Sequence, residues 1–450
     1  MAQKAMRFYA REEYDEDNKN IKYELFEGMT KSYNDDLLTK FKRIVLRSSG
    51  NDNTGGSLFR DALMHTLVDD LNMNSQASRP CVAFINGEFW GLYNIRERYD
   101  NHYFANHYDI DKDKVALLTI SVRGVPELQE GDASDIAYYY EMLRFFNTHS
   151  MTDKVNYKKA LEYLDVENFI DYYIANIYSA NADWPGNNNS FWRYKPENGG
   201  YDDSAVWYQD GRFRWVLKDM DWGFGLMINQ THNTLLHAMN ENAGGGRGGG
   251  MGGGFSSPET TLMFRKLLEN DEFRATFINR FCDVMNTNYE TQTILSTIDK
   301  MQSFIEPVIP EQVARFQGSV RSVANWEASV ERMRQFARER TGYVHGFMQH
   351  RFALSNLVRV ALKTDADNGY IRINNTNITT GTRGVYDPSI WIGSYFAGTT
   401  QTLTAVPTKG STFTKFVVTD VASGKITEHN NSTIDIKLGS AGTIVVAEFE

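Results

Sequence analysis

A Pro-Gly pair at residues 185–186 interrupts this chain directly after a strongly apolar helical pattern. Apolar residues recur at helical spacing across residues 158–179, and Asp165 can cap the start of such a helix. The apolar stripe consists of Val166, Phe169, Ile170, Tyr173, Ile174 and Ile177. Because proline and glycine do not continue a helix, the chain has to turn at this point. The turn predicts a loop that carries Asp183 and Asn188 at the end of an amphipathic helix.

Strands are predicted after this loop, and they lead to another aspartate. Residues 190–194 have the composition of a strand, and residues 205–209 and 212–217 flank the turn pair Asp210-Gly211. We therefore predict one strand followed by a hairpin. The second strand of the hairpin leads into Asp219.

The first hundred residues favour a mixed domain of strands and helices. Residues 6–10 and 43–47 are strand-like, and residues 58–71 carry leucines at helical spacing. Apolar runs on both sides of Asn86-Gly87 predict a hairpin over residues 81–95. Asn-Gly supplies the two positive-φ residues that a type I′ turn requires.

The character of the sequence changes near residue 357. Residues 257–352 have helical apolar spacing, whereas residues 357–450 are rich in Thr, Val, Ile and Gly and form short alternating runs. We predict an independent β module there. The glycine-rich stretch 244–254 predicts a mobile loop, because it has too little apolar surface to bury. It lacks the pattern of a phosphate-binding glycine loop.

The composition argues against two classes of protein. A net charge of −10 disfavours nucleic-acid binding, since phosphate contact needs a positive surface. The sequence has no apolar run of about 18 residues, so no membrane-spanning helix is expected. Cys81 and Cys282 lack metal-ligand spacing and are expected to be buried free thiols, although the sequence leaves a disulfide open. No leader peptide follows Met1, as expected of a cytoplasmic protein or of a secreted one without its leader.

Asp183, Asn188 and Asp219 occur in the order in which protein kinases place their catalytic and metal-binding residues. That reaction needs a carboxylate near the attacking hydroxyl group and oxygen ligands that hold Mg²⁺ against the nucleotide phosphates. Protein kinases place the base aspartate on a loop after a helix, an asparagine five residues later, and a metal-binding aspartate just before Phe-Gly. Here Asn188 stands five residues after Asp183, and Asp219 precedes Gly223-Phe224-Gly225. The histidine and arginine that usually precede the base are absent, and Asn181 and Ala182 stand in their place, so this order alone does not support a standard kinase assignment.

Simpler interpretations of these residues stay open. Asp183 beside Pro-Gly can be an ordinary turn residue, and Asp221 can be a solvent-facing partner of Lys218. The histidines lack metal-ligand spacing, so none is assigned as a ligand. A glycoside hydrolase would need two carboxyl groups roughly 5–10 Å apart across a cleft, and the sequence singles out no such pair.

Five segments of the sequence together carry a family resemblance. They are Leu46–Asp52, Phe59–Leu63, Phe84–Glu97, Asn181–Asn188 and Asp219–Gly225. In this order, over residues 1–356, they resemble the CotH family of atypical secreted kinases. The resemblance implies an α+β fold, with an atypical protein-kinase-like domain (mixed sheet plus helical lobe) followed by the small all-β module. It also implies that strands which precede Gln3 in the family are missing from this chain.

The resemblance implies roles for the acidic residues. Asp183 would be the catalytic base and Asp219 the principal metal ligand, with Asn188 and Asp221 as second ligands. The cofactors implied are ATP and Mg²⁺ or Mn²⁺, and the reaction implied is phosphoryl transfer to hydroxyl side chains.

Three further residues are candidates for contacts with the nucleotide. Lys4 is the candidate for a phosphate contact, because a lysine can act there as a point charge, and Arg7 is its alternative. Glu97, at the end of the hairpin strand, is expected where the chain passes the nucleotide. An ordinary exposed strand lysine is the simpler interpretation of Lys4.

The β module and the family together suggest an exported protein. Within residues 357–450, the phrases Tyr395–Thr399, Leu403–Pro407 and Val445–Glu450 resemble bacterial surface-protein repeats related to the internalin B-repeat. The protein substrate implied is secreted, on the cell surface or of spore-coat type. The competing hypothesis is a non-catalytic cell-surface or coat scaffold, which the absence of a His-Arg pair before Asp183 favours.

Overall fold

The computed structural model describes residues 3–121, 124–241 and 256–450. Both helices and strands occur before residue 352, and the elements after it are strands. This arrangement confirms the predicted α+β class. The predicted glycine-rich loop, residues 244–254, lies outside the described residues.

The helices range from a single turn to the 30 residues of the last one. They are α1 (Arg60–Thr66), α2 (Asn101–Tyr108), α3 (Ala133–Thr148), α4 (Lys154–Ala160), α5 (Val166–Tyr178), α6 (Thr234–His237), α7 (Leu262–Leu267), α8 (Asp271–Asn286), α9 (Thr291–Ile305), α10 (Ile309–Arg315) and α11 (Val323–Phe352). Single 3₁₀ turns lie at Gly50–Asn53, Lys112–Lys114 and Glu306–Val308.

The strands fall into several sheets. They are β1 (Met6–Tyr9), β2 (Ile21–Lys22), β3 (Lys40–Phe41), β4 (Arg43–Arg47), β5 (Ser78–Ile85), β6 (Glu88–Glu97), β7 (Val115–Ile120), β8 (Pro126–Glu130), β9 (Asn189–Tyr194), β10 (Arg214–Val216), β11 (Leu357–Thr364), β12 (Gly369–Ile373), β13 (Thr376–Asn377), β14 (Ile390–Phe396), β15 (Thr400–Pro407), β16 (Phe413–Asp420), β17 (Ile426–His429), β18 (Thr433–Lys437) and β19 (Thr443–Phe449). The strand-rich part that was predicted after residue 357 therefore begins with β11.

The chain divides into two compact units. The first consists of Met1–Asn270 and Thr297–Phe336, and the second of Asp271–Ser296 and Ala337–Glu450. The second unit therefore includes every residue of the predicted β module together with helical segments that precede it. The predicted boundary at residue 357 stays a prediction.

One sheet of the first unit has the strand order β1-β4-β6-β5, with antiparallel neighbours. β5 and β6 form the predicted hairpin. Its turn residues Asn86 and Gly87 have φ values of 52° and 82°, as a type I′ turn requires. β4 lies between β1 and β6, so its last residue, Arg47, is held in a paired strand.

A second sheet of the first unit has the order β10-β9-β7-β8 and packs against α5. β9 confirms the strand predicted over residues 190–194. Phe191 and Trp215 are buried on this sheet, and the Trp215 ring lies 4.7 Å from that of Phe169 on α5. This aromatic packing fixes where the loops after α5 and after β10 leave the sheet.

The helix predicted over residues 158–179 is wrong near its start, where α4 and α5 are separate. Between them, Phe213 donates its backbone N–H to the carbonyl of Tyr163 at 2.8 Å, and Asp165 donates to the carbonyl of Phe213 at 3.1 Å. This segment therefore pairs with the chain before β10 instead of continuing a helix. Asp165 caps α5 as predicted, because its side chain accepts a backbone N–H of the first turn.

The strand predicted over residues 205–209 is also wrong. Gln209 donates its backbone N–H to the carbonyl of Val206 at 2.8 Å, which makes a turn. The buried carboxylate of Asp210 accepts a hydrogen bond from Arg214 at 2.9 Å and holds the loop against β10. β10 pairs with β9 instead of with a hairpin partner.

The second unit contains two sheets and helix α8. A five-stranded sheet has the order β14-β11-β19-β16-β17, and a four-stranded sheet has the order β13-β12-β15-β18. Asp283 of α8 is buried and accepts hydrogen bonds from Asn374 at 3.0 Å and from the Tyr395 hydroxyl at 2.7 Å. These hydrogen bonds bind α8 to the strands of the same unit.

The cysteines are free, as expected. Cys282 is buried as predicted, whereas the predicted burial of Cys81 is wrong, because this residue of β5 is only half-buried. Burial raises the pKa of both thiols, and a protonated thiol is a weak nucleophile. None of the helices described above is both long and apolar enough to cross a membrane.

Helix α1 occupies part of the helix predicted over residues 58–71, and it is anchored by Arg60. The Arg60 side chain is fully buried and donates to Asp52 at 3.0 Å, to the Phe224 carbonyl, and to Ser329 on α11 at 3.1 Å. Asp52 is also fully buried. One guanidinium group therefore joins α1 to the segment after Asp219.

We predict that Arg60→Met lowers the free energy of unfolding by about 3–5 kcal/mol, because it leaves the buried Asp52 carboxylate without its cation. Urea titration of purified protein measures the loss. Arg11→Met, which removes an exposed arginine, is the control and is expected to change stability by less than about 0.5 kcal/mol. Equal effects of the two substitutions would contradict the anchoring role.

Candidate active site

Asp183 lies on a tightly held loop directly after α5. Ala180 has a φ of 52°, which ends the helix and turns the chain. Trp184 is fully buried, and its indole N–H donates to the Tyr172 hydroxyl at 2.9 Å. Asp183 itself is only 3% exposed. The loop therefore presents a buried carboxylate from a fixed position.

Asn188 is a direct partner of Asp183. Its side-chain amide donates to Asp183 Oδ2 at 2.7 Å, and Asn187 donates to the same oxygen at 3.4 Å. The other oxygen, Oδ1, is buried and has no hydrogen-bond partner among the described residues. Burial, together with the charges of Asp219 and Asp221, raises the pKa of Asp183 to about 8. The carboxylate thus has one oxygen available for a ligand or a proton.

Asp219 and Asp221 follow β10 and differ in their surroundings. Asp219 has a φ of 50°, and its side chain is 33% exposed. Asp221 is 1% exposed and accepts hydrogen bonds from the backbone N–H of Asn51 at 2.6 Å and from its side chain at 3.3 Å. Burial and the charge of Asp219 raise the pKa of Asp221 to about 7, against the opposing effect of Arg47. Asp221 is therefore not a solvent-facing residue.

Arg47 is the cation at the centre of this acidic group. Its guanidinium group donates to Asp219, lies 3.4 Å from Asp221 Oδ2 and pairs with Asp61 of α1 at 3.6 Å. Asp61 also pairs with Arg96 at 2.6 Å. Burial alone would raise the pKa of Asp61, but the two arginines hold it well below its usual range. One arginine thus connects β4, α1 and the loop after β10.

Gly50 makes room for this arrangement. A Cβ atom at this position would lie 2.0 Å from Asp221 Oδ2 and 2.9 Å from the Arg47 guanidinium group. The φ of Gly50 is also positive, at 55°. Any side chain here would displace the carboxylate or the arginine.

The structure brings together four of the predicted site residues and places the others elsewhere. The four are Asp183, Asn188, Asp219 and Asp221. Lys4 and Arg7 are exposed at the edge strand β1 and its preceding residues, and the carbonyl of Lys4 accepts a hydrogen bond from Tyr93. Glu97 is buried, and its carboxylate binds His107 at 2.7 Å and the Ala77 N–H at 3.3 Å.

Sequence reasoning gave no role to Arg47, Asp61, Asn51 or Gly50. All four lie in segments that carried the family resemblance, Leu46–Asp52 and Phe59–Leu63. A signal was present in Arg47, since a charged residue directly follows the apolar run Ile44-Val45-Leu46. Its partners lie far along the chain, so spacing alone could not reveal them.

The donor atoms suit a Mg²⁺ ion that is completed by a nucleotide. Among the described residues, no three His, Cys, Asp or Glu side chains form a preassembled metal cluster. Mg²⁺ commonly takes one or two carboxylates and draws its other ligands from water and substrate phosphates. Asp219 has an oxygen that Arg47 does not bind, and Asn188 contributes an amide oxygen. Burial, together with the neighbouring aspartates, raises the pKa values of Asp183 and Asp221, and a bound cation would favour their ionised forms.

Comparison with known proteins gives one match. A family model described as CotH kinase protein matches residues 1–344. No curated protein matches the chain. The match covers all the residues of the acidic site and stops before β11.

We predict that Asp183→Asn stabilises the metal-free protein more in alkaline than in acidic solution. Because the pKa of Asp183 is raised from 3.8 to about 8, its protonated form stabilises the fold at low pH, and this contribution is lost as the pH rises through 8. An uncharged amide does not incur that loss. In urea titrations, the variant's free energy of unfolding is expected to exceed that of the wild type by about 1–3 kcal/mol near pH 9, and by much less near pH 5.

The control for this prediction is Asp203→Asn, which alters an exposed aspartate. Its effect on stability is expected to stay within about 0.5 kcal/mol at both pH values. A difference between wild type and Asp183→Asn that does not change with pH would show that Asp183 is not protonated in the folded protein.

Proposed function

Since the chain belongs to the CotH kinase protein family, we propose that it is a metal-dependent kinase that transfers a phosphoryl group from ATP to hydroxyl side chains of an exported or surface protein. The observation that carries this proposal is the buried Asp183 Oδ1, which has no hydrogen-bond partner among the described residues. Asn188 donates a hydrogen bond to the other oxygen of Asp183, and the charge of Asp219 acts on the same carboxyl group. A kinase needs that combination of a positioned base and nearby oxygen ligands.

Asp183 is the base in this proposal. The hydroxyl oxygen of the acceptor attacks the γ-phosphorus of ATP, the bond between that phosphorus and the β–γ bridging oxygen breaks, and ADP leaves. The hydroxyl proton passes to Asp183 Oδ1, which has no competing partner among the described side chains. Asn188 holds the other oxygen at 2.7 Å and so fixes the orientation of the carboxylate.

Asp219 and Asn188 would hold the divalent metal ion. When bound, Mg²⁺ or Mn²⁺ neutralises charge on the nucleotide phosphates. Asp219 is the most exposed of the three site aspartates and keeps one oxygen free of Arg47. Added positive charge would also lower the raised pKa of Asp183, and this favours the ionised form that a base requires.

Asp221 and Arg47 have a supporting role in this proposal. The oxygens of Asp221 already accept hydrogen bonds from Asn51 and Arg47, so we assign Asp221 to positioning Arg47 and to tuning local charge. Asp61 holds the same arginine from α1. The nucleotide contacts predicted for Lys4, Arg7 and Glu97 stay predictions, and Glu97 would first have to give up its contact with His107.

We predict that the wild type binds ATP with micromolar affinity in the presence of Mg²⁺ or Mn²⁺, and that Asp219→Ala or removal of the metal abolishes this binding. The substitution removes the carboxylate that holds metal and phosphates together. Isothermal titration calorimetry measures the affinity, and Asp203→Ala is the control that should bind as the wild type does. A wild type that binds no ATP would contradict the kinase and support the non-catalytic scaffold.

We also predict that Asp183→Asn separates binding from transfer. Loss of a general base is expected to lower the rate of phosphoryl transfer by about 10²–10⁴-fold, whereas ATP binding stays within about threefold of the wild type. Label from γ-³²P-ATP that is incorporated into the chain or released as phosphate measures the rate. Unchanged transfer in this variant would remove Asp183 from the mechanism.

A further inference from the structure

Lys218 is a cation of the acidic site that lacks a carboxylate partner. It lies between β10 and Asp219 and is half-buried. Its Nζ donates one long hydrogen bond, to Ser190 Oγ at 3.4 Å. Within the described ranges, it makes no ion pair with an Asp or Glu side chain. The ammonium group therefore has hydrogen-bond donors that the protein does not use.

The other cations near the site are already engaged. Arg47 binds Asp219, Asp221 and Asp61, and Arg96 binds Asp61 at 2.6 Å. Lys218 is in the same electrostatic environment, since the charges of Asp219 and Arg47 both act on it. An anion that enters here would meet Lys218 as the cation with free donors.

Hydroxyl groups lie beside Lys218, and such groups can donate hydrogen bonds to an oxyanion. Ser190 Oγ donates to Thr119 Oγ1 at 2.9 Å, so the hydroxyl group that Lys218 contacts on β9 is itself bonded to a second hydroxyl group on β7. The Lys218 side chain is half-buried, and an ammonium group that is removed from water without a full counter-charge is destabilised. A bound anion would remove that penalty.

We propose that Lys218 binds a non-bridging phosphate oxygen of the nucleotide, with Ser190 holding its ammonium group in place. The inference rests on the proposed function, because it places the phosphates beside Asp219. The charge of Asp219 acts on Lys218, so a nucleotide held through Asp219 brings its phosphates towards this ammonium group. This assigns the phosphate contact to Lys218, whereas Lys4 is exposed at the edge of another sheet.

The experiment compares ATP, ADP and adenosine as ligands of the wild type, Lys218→Met and Lys218→Arg, by calorimetry with Mg²⁺. Loss of a charged hydrogen bond to phosphate is expected to weaken ATP and ADP binding by Lys218→Met about 10- to 100-fold and to leave adenosine binding unchanged. Lys218→Arg retains the charge and is expected to recover most of the affinity.

Thermal unfolding provides a second measurement, which distinguishes a phosphate contact of Lys218 from a role in packing. Without nucleotide, Lys218→Met is expected to be at least as stable as the wild type, because it removes a partly buried ammonium group that has no carboxylate partner. With ATP and Mg²⁺, its melting temperature should rise less than that of the wild type.

The outcomes separate this inference from the function on which it rests. A wild type that binds no nucleotide overturns both. A wild type that binds ATP while Lys218→Met binds it equally well overturns the role of Lys218 alone. An equal loss of ATP and adenosine affinity, or a fall in stability without nucleotide, would place Lys218 in contact with the base or in the packing and would also overturn the inference.

Discussion

The guanidinium group of Arg47 is the point on which the acidic site depends. It binds carboxylates from two other segments, Asp61 on α1 and the pair Asp219 and Asp221 after β10. Without this cation, the mutual repulsion of these carboxylates would push the segments apart. The close approach also requires Gly50, since a side chain there would meet both Arg47 and Asp221. A strand, a helix and a loop are thus positioned by one ion-pair network.

The site holds carboxyl groups in surroundings that disfavour their ionised forms. Asp183 and Asp221 both have raised pKa values, and Asp183 has an oxygen without a partner in the described part of the chain. Asn188 and Asp219 have positive φ values, which is uncommon for residues other than glycine and costs about 1–3 kcal/mol each. Backbone strain and perturbed pKa values in one place are typical of a functional site.

Local chemistry made part of this predictable from the sequence. The turn residues Asn86-Gly87 predicted the hairpin of β5 and β6, and Asp165 predicted the start of α5. Asp183 and Asn188, which were singled out by their spacing, are joined by a direct hydrogen bond. These features depend on residues close together in the chain.

Other features depended on distant residues and could not be predicted. Phe213 interrupts the helix predicted before Asp165, and the salt bridge of Asp210 with Arg214 replaces a predicted strand by a turn. Arg47 and Asp219 are 172 residues apart, so no periodicity or spacing relates them. Tertiary pairing overrode local propensity in each case.

The buried hydrogen bonds of Asp283 have a consequence for the order in which the chain is made. Asp283 of α8 receives hydrogen bonds from Asn374 and Tyr395, which lie 91 and 112 residues later in the sequence. At ribosomal speeds of about 5–20 residues per second, the carboxylate leaves the ribosome roughly 6–20 s before its last donor does. During that interval α8 lacks the strands on which it packs, while synthesis of the first unit is still continuing to Phe336. The synthesis of the two units therefore overlaps in time. A chain that ends before Tyr395 contains α8 but lacks one of the buried hydrogen bonds of Asp283.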